Sequence, residues 1–400
     1  MKRNATVGVI GVVATSALVI ALAAATLANP TATPAPSSVA QAGAEPSGLT
    51  TSSTPTPLPT PTPLPTPVPS PTPIPTATPV PAPLTGRLVP PDVAARHPIA
   101  VMIDDLGVAR PQSGLASASV VWQAPAEGGV PRYMAIFQDD LPEAVGPVRS
   151  SRYYYIAWAA EWRAIYIHSG GSPQALATLR ANGNGQLVYN GDEYRYGGTF
   201  FRLKTRFAPH NLYTTGASLR SLGQRMGAND QAYVPVWQFA PDAPLDARPY
   251  GGTIAVRYPQ NTIQYAYDRT TNTYLRSVTG EKKQTDAADG IRIAPNNVVV
   301  MRMSFGPLND GDPGAKRLEA KVVGSGTAWI STNGRTIQGT WMKASLTKPT
   351  MFYDGNGNEV TLTVGQTFIQ VIPGDYQISF TPGSDQPPAT PAPSPSPSSR

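Results

Sequence analysis

Between His97 and Gly183 largely apolar runs alternate with segments of helical period, and each run ends on polar residues. "HPIAVMIDD" (His97–Asp105), "SVVWQAPAEGG" (Ser119–Gly129), "RYMAIFQDD" (Arg132–Asp140) and "RAIYIH" (Arg163–His168) have strand length and little alternation, as strands buried on both faces require. "SSRYYYIAWAAEW" (Ser150–Trp162) predicts a helix capped by Ser150 or Ser151. "SPQALATLRANG" (Ser172–Gly183) predicts another, with Ser172 at the N-cap, Pro173 at the first helical position and Gly183 at its end. Strands alternating with helices predict an α/β layer.

After "FAPDAPLDARPYGG" (Phe239–Gly252) the texture changes. Short strand segments run from "TIAVRYP" at Thr253 to "TFIQVIP" at Thr367, separated by turn residues. Asn333-Gly334 and "DGNGN" (Asp354–Asn358) read as hairpin turns. The expected fold is an α/β N-terminal domain over 85–245 followed by a mainly antiparallel β domain over 246–382, α+β overall.

The ends have a different character. Lys2 and Arg3 precede an uncharged stretch, Ala5–Ala28. That stretch is long enough for a helix to cross a bilayer core of about 30 Å. Residues 1–28 are therefore expected to be an uncleaved signal anchor, with the rest of the chain outside the membrane, the alternative being a cleaved signal and a secreted chain. Residues 29–84 are rich in proline and threonine, with "TPTPLP" twice in succession. They are expected to be a disordered polyproline II spacer. The Pro/Ser-rich tail, 383–400, is expected to be disordered as well.

Composition narrows the chemistry. With no cysteine, disulfides, thiolate catalysis and a lipid-modified N-terminal cysteine are excluded. A net charge of +6 on a domain outside a membrane points to anionic wall polymers or lipid headgroups rather than nucleic acid. The three histidines, His97, His168 and His210, lack metal-ligand spacing, so neither a metal nor a cofactor is expected. His97, beside Pro98 at a domain start, reads as a surface residue.

Polar residues just past the C-terminal ends of strands sit where α/β sheets bind ligands. Asp104, Glu127 and His168 hold such positions, and "HSGGSP" leads into the helix capped by Ser172. Its Gly170-Gly171 turn reads either as a plain bend or as a source of free N–H groups for an anion. Arg149 and Arg152 stand at a helix start, where the macrodipole disfavours cations. With Arg132 they imply either carboxylate partners in Asp104 and Glu127 or an anionic ligand. His210 and Asn211 follow a proline-stiffened loop. The candidate ligand-binding set is Asp104, Glu127, Arg132, Arg149, Arg152, His168, Ser172, His210 and Asn211.

Five motifs occur in order: "ARPQSGL" (Ala109–Leu115), "EGGVPRYMAIFQ" (Glu127–Gln138), "GPVRSSR" (Gly146–Arg152), "HSGGSPQA" (His168–Ala175) and "APHNLY" (Ala208–Tyr213). Together they resemble the YerB-like bacterial lipoprotein family of unknown function, DUF3048. "NNVVVMRM" and "MFYDGNGNEVTLTVGQTFIQVIP" extend the resemblance over the C-terminal half. The resemblance implies a two-part extracytoplasmic protein with no established chemistry. Two departures matter. The lipobox cysteine is absent, which leaves anchoring to Ala5–Ala28. Val130-Pro131 stands where the family more often has Ile-Thr, which removes a hydroxyl.

The reading that combines these features is a membrane-anchored, non-enzymatic binding or scaffolding module at the cell wall, with an anion-accepting site and an anionic wall polymer or a protein as partner. The alternative is a wall-polymer hydrolase using Glu127 or Asp104 as general acid or base, assisted by His168 or His210.

Overall fold

Ten strands form one mixed sheet that both halves of the chain build. The computed structural model describes residues 77–387 except 234. The expected Ala5–Ala28 anchor, most of the linker and the tail beyond 387 lie outside the described residues. The N-terminal half supplies β1 (Ile99–Asp104), β2 (Val120–Pro125), β3 (Pro131–Phe137), β4 (Ile165–His168) and β5 (Tyr189–Asp192). Its longer helices are α1 (Tyr153–Ala159), α2 (Pro173–Asn182) and α3 (Gly216–Arg225). The C-terminal half is mostly strands: β6 (Thr253–Arg257), β7 (Thr262–Asp268), β8 (Thr273–Val278), β9 (Asn297–Arg302), β10 (Gly324–Thr332), β11 (Arg335–Lys343), β12 (Thr350–Tyr353), β13 (Thr367–Ile372) and β14 (Ile378–Thr381).

The large sheet runs β12-β11-β10-β9-β13-β2-β3-β1-β4-β5. The two halves join where β13 lies parallel to β2, with Thr367 opposite Val120 and Gln370 opposite Gln123. β13 is also parallel to β9. In this strand the C-terminal half departs from the expected antiparallel pattern. "TFIQVI" shows why: all six residues are buried, so it reads as a central strand covered on both faces. A second sheet, β8-β7-β6-β14, is antiparallel throughout. Its strands alternate buried and exposed, as in "TIQYAYD" of β7, because only one face packs inward.

Two cores lie on the two faces of the large sheet. On one, α1 and α2 pack over Met102, Trp122, Met134, Val299 and Ile369. Trp122 and Trp158 stack there with ring centroids 4.6 Å apart. On the other, α3 and the small sheet cover Val101, Phe137, Ile167, Val300 and Phe368. Each core draws on both halves, so the change of texture near Asp242–Gly252 separates sequence patterns that share both cores.

Local signals resolve in physical terms. α2 begins as expected: Ser172 accepts from the Ala175 N–H at 3.3 Å, with Pro173 following. α1 does not use Ser150 or Ser151; Arg152 occupies its N-cap without a side-chain cap bond. Ser151 is turned instead to the Tyr166 hydroxyl, 2.8 Å away. Asn333 and Gly334 both take positive φ, 49° and 74°, in the two-residue turn between β10 and β11, as a primed hairpin turn demands. Folding starts before Thr85: Val80–Pro81 pairs with Leu88–Val89, and Ala82 and Leu84 are buried. His97 is a correction. It is only 3% exposed, with Nε2 2.9 Å from the Arg163 carbonyl and Nδ1 2.7 Å from the Tyr233 hydroxyl.

Candidate functional site

β1 pairs with β4 over Ile99–Val101. Farther along β1, the segment around Val148 takes the place of β4. The Arg149 N–H donates to the Met102 carbonyl at 2.9 Å, and the Asp104 N–H to the Pro147 carbonyl at 3.0 Å. On its other side β1 pairs with β3, which sets Arg132 opposite Asp104. The Val148 N–H donates to the Leu212 carbonyl at 2.7 Å, bringing the His210–Tyr213 segment to the same place. The Ser169 N–H donates to the Arg149 carbonyl at 3.0 Å and the Ser151 N–H to the Gly170 carbonyl at 2.9 Å. Five pieces of chain distant in sequence thus meet at one end of the sheet.

The candidate side chains gather there in two linked ion clusters. Asp104 Oδ2 lies 3.0 Å from Arg149 Nε and 2.7 Å from His210 Nδ1, while Asp104 Oδ1 accepts from the Leu106 N–H at 3.0 Å. Arg149 Nε is not aligned for a hydrogen bond, so its contact with Asp104 is an ion pair. Glu127 takes two arginines: Arg132 Nη2 at 3.2 Å on Oε2 and Arg152 on Oε1. Arg132 also donates to the Ser150 carbonyl at 3.0 Å. These are the carboxylate partners that the arginine spacing implied.

Burial by itself pushes the Glu127 carboxyl up, but the Arg132 and Arg152 guanidiniums more than reverse this and hold it below the usual carboxylate range. Burial pushes Arg149 and Arg152 down, with Arg132 adding repulsion to both. Three arginines face two carboxylates, so this cluster has one cation in excess. Part of it stays reachable: the side chains of Arg149, His210 and Glu127 are 21%, 18% and 24% exposed, while Asp104 and Arg152 are buried.

An outer arc closes the ring. Asn211 Oδ1 accepts from Arg202 Nη1 at 3.0 Å, Arg202 Nη2 reaches Glu193 Oε1 at 2.8 Å, and Ser169 Oγ donates to Glu193 Oε2 at 2.7 Å. Glu193 went unread in the sequence because the short strand before it, "YNGD", lacks an apolar run. The Gly170 N–H, offered by the turn as a free donor, is already taken by Asp192 Oδ1 at 3.1 Å. Gly170 itself sits at φ +61°, a turn conformation that favours glycine. His168 lies below the surface with Nδ1 2.7 Å from the Gly170 carbonyl and Nε2 2.7 Å from Asn190 Oδ1. His168 and Ser172 therefore support the turn, whereas Asp104, Glu127, Arg132, Arg149, Arg152 and His210 form the reachable cluster. Among the described residues no three His, Asp or Glu side chains gather as metal ligands.

Residues 84–229 match the N-terminal domain, and residues 254–369 the C-terminal domain, of the protein of unknown function DUF3048. The chain belongs to the DUF3048 family. It is 30% identical over 311 residues to a Bacillus subtilis (strain 168) protein named as a lipoprotein, YerB, covering 76% of this chain and 87% of that one. The crystal structure of YerB from Bacillus subtilis superposes with a TM-score of 0.66 at 28% identity, covering 74% of this chain and 99% of the crystallised one. Nearly the whole of the crystallised YerB chain is thus matched by about three quarters of this one.

Beside the reachable cluster, this DUF3048 chain buries a second polar cluster that sequence reading missed. Asp105, fully buried, pairs with Arg110 Nη2 at 3.0 Å and accepts from Gln123 Nε2 at 2.5 Å. Arg276, on β8, donates to Gln123 Oε1 at 2.8 Å, to the Tyr265 hydroxyl at 3.0 Å and to Gln284. The available signal was Arg276 standing at an inward position in the alternation of "TYLRSV". This network ties the small sheet to the large one and has no exposed member that would meet a ligand. A groove of about 1130 Å³, lined by Ala82, Leu88, Trp237, Phe239 and Glu359 among others, includes no residue of either polar cluster.

Proposed function

We propose that this protein is a membrane-anchored extracytoplasmic binding module whose Asp104–Glu127–Arg149 cluster accepts an anionic group of a wall polymer. The observation that carries this reading is the imbalance of three arginines on two carboxylates at the accessible end of the sheet. A cation enclosed among buried partners cannot meet a ligand, whereas a surplus cation in a half-buried setting attracts an anion strongly. The anchoring part rests on the Lys2-Arg3 head, the Ala5–Ala28 stretch and the naming of the relative YerB as a lipoprotein. Anchoring is tested by adding protease to intact protoplasts: loss of the folded region with a membrane-bound stub supports it, and full protection until lysis rejects it. Binding is tested with anionic wall fragments at about 0.1 M and about 1 M salt, where screening should weaken it markedly. Equal binding at both concentrations rejects an anion site.

A second reading has one specific observation in its favour. His210 Nδ1 is held at 2.7 Å by Asp104, an arrangement that orients an imidazole for general base work through its other nitrogen. Glu127, held anionic by two arginines, is unsuited to donate a proton at neutral pH, and both ring nitrogens of His168 are engaged. A hydrolase would therefore rest on Asp104 and His210. His210→Gln should then abolish release of soluble wall fragments while wall binding persists. Fragment release at the wild-type rate by the variant eliminates the hydrolase.

A further inference from the structure

The rim of the polar ring carries an unusual share of the molecule's uncovered apolar surface. Phe207 is 91% exposed, Tyr194 81%, Val108 71% and Phe201 42%; these are four of the nine large apolar side chains exposed among the described residues. Isolated cases are ordinary on a soluble surface, but a cluster beside one site is not. The chain holds them together. Arg206 Nη2 donates to the Pro111 carbonyl at 2.8 Å, seating the Leu203–His210 loop beside the turn that bears Val108. The Leu203 N–H donates to the Asn211 carbonyl at 2.9 Å, closing that loop at its base. Tyr194 projects past the Gly170 turn, where a Cβ added at Gly170 would lie 3.3 Å from its ring.

Charge on the same rim is mainly basic. Residues 192–210 carry four basic side chains, Arg195, Arg202, Lys204 and Arg206, against two acidic ones, Asp192 and Glu193. Lys204 and Arg206 have no carboxylate partner among the described residues. We propose that this rim docks on an anionic lipid bilayer, with Phe207 and Val108 entering the headgroup region and Lys204 and Arg206 meeting lipid phosphates. Aromatic and aliphatic tips with flanking cations suit an interface that is apolar below and negative above. A sugar polymer would stack on the rings but would gain little from Val108. An anionic polymer would use the cations and leave Phe207 in water. The proposal goes beyond the wall-binding reading and does not depend on Arg149.

Co-sedimentation of residues 77–387 with phosphatidylcholine vesicles, with and without phosphatidylglycerol, tests it. The solved relative shows that this fold needs no tether. The wild type should bind the anionic vesicles more tightly, and the more so at low salt. Phe207→Ser with Val108→Ser should weaken that binding about tenfold or more. Lys204→Gln, which leaves the Arg206 bond to Pro111 in place, should weaken it about fivefold and reduce the salt dependence. A Phe207→Trp variant should show a blue-shifted emission on anionic vesicles. No preference for anionic vesicles, no effect of the serine pair, or no emission shift overturns the proposal. So does binding to soluble poly(glycerol phosphate) through these residues with none to vesicles. Arg149→Met should leave vesicle binding unchanged, which separates failure here from failure of the wall-binding reading.

Discussion

Asp104 and Asp105 are neighbours in the chain, yet they belong to clusters of opposite construction. Asp104 leads outward, to Arg149 and His210 at the accessible end of the sheet. Asp105 leads inward, to Arg110, Gln123 and, through Gln123, to the fully buried Arg276 between the two sheets. Period-2 geometry produces the split, since successive strand residues point to opposite faces. The lesson is that arginine–carboxylate clusters of like composition, each with one arginine to spare, are told apart by enclosure. The inner network satisfies its members and is sealed, so it specifies how the sheets dock. The outer one keeps a surplus cation within reach of solvent, so it can meet a partner.

The largest effect that would break this comparison lies in the inner network. Arg276→Met strands Gln123, Gln284 and Tyr265 and removes one cation facing Asp105. It should cost roughly 3–5 kcal/mol in chemical unfolding, with wall binding per folded molecule unchanged. A loss below about 1 kcal/mol would mean that the network does not hold the sheets together.

A smaller effect concerns pH, where the two clusters should slope in opposite directions. Glu127 has a folded-state pKa below its ordinary value of 4.5. Its contribution is fully present above that value and is lost as pH falls through the lowered one. Burial raises Asp105 above its ordinary 3.8, with Arg110 and Arg276 opposing the rise only in part. The folded protein then holds that proton more tightly than the unfolded chain, and stability declines as pH rises from about 3.8 through the raised value. Glu127→Gln should therefore lose stability relative to wild type at neutral pH, with the difference shrinking in acid. Asp105→Asn should remove the decline. Unfolding curves between about pH 3 and 7 measure both, and slopes of the same sign would contradict the contrast.

Much of this was legible in the sequence. The central strands announced themselves as apolar runs, α2 by its Ser172-Pro173 start, and the β10–β11 turn by Asn333-Gly334. The arginine–carboxylate pairs followed from residue types at strand ends. What stayed hidden depends on distant pairing. The parallel seating of β13 beside β2 joins segments far apart in the chain, and no local pattern encodes it. Arg276 went unread because its partners, Gln123 and Gln284, come from other segments. His97 read as surface for the same reason: the carbonyl and hydroxyl that bury it belong to Arg163 and Tyr233. Free N–H groups at Gly170 were a fair expectation for a glycine turn, but Asp192 of β5, itself unread, fills that role.

The proposed function requires that the outer cluster receives an anion and that Arg149 is not needed to hold the fold. Arg149→Met tests it most directly, with chemical unfolding and binding to anionic wall fragments measured on the same preparation. Asp104 keeps His210 and the Leu106 N–H after the substitution. Stability should change by no more than about 1 kcal/mol, and affinity for the fragments should fall about tenfold or more, equivalent to about 1.4 kcal/mol. A stability loss of roughly 3–5 kcal/mol with fragment binding intact would contradict it.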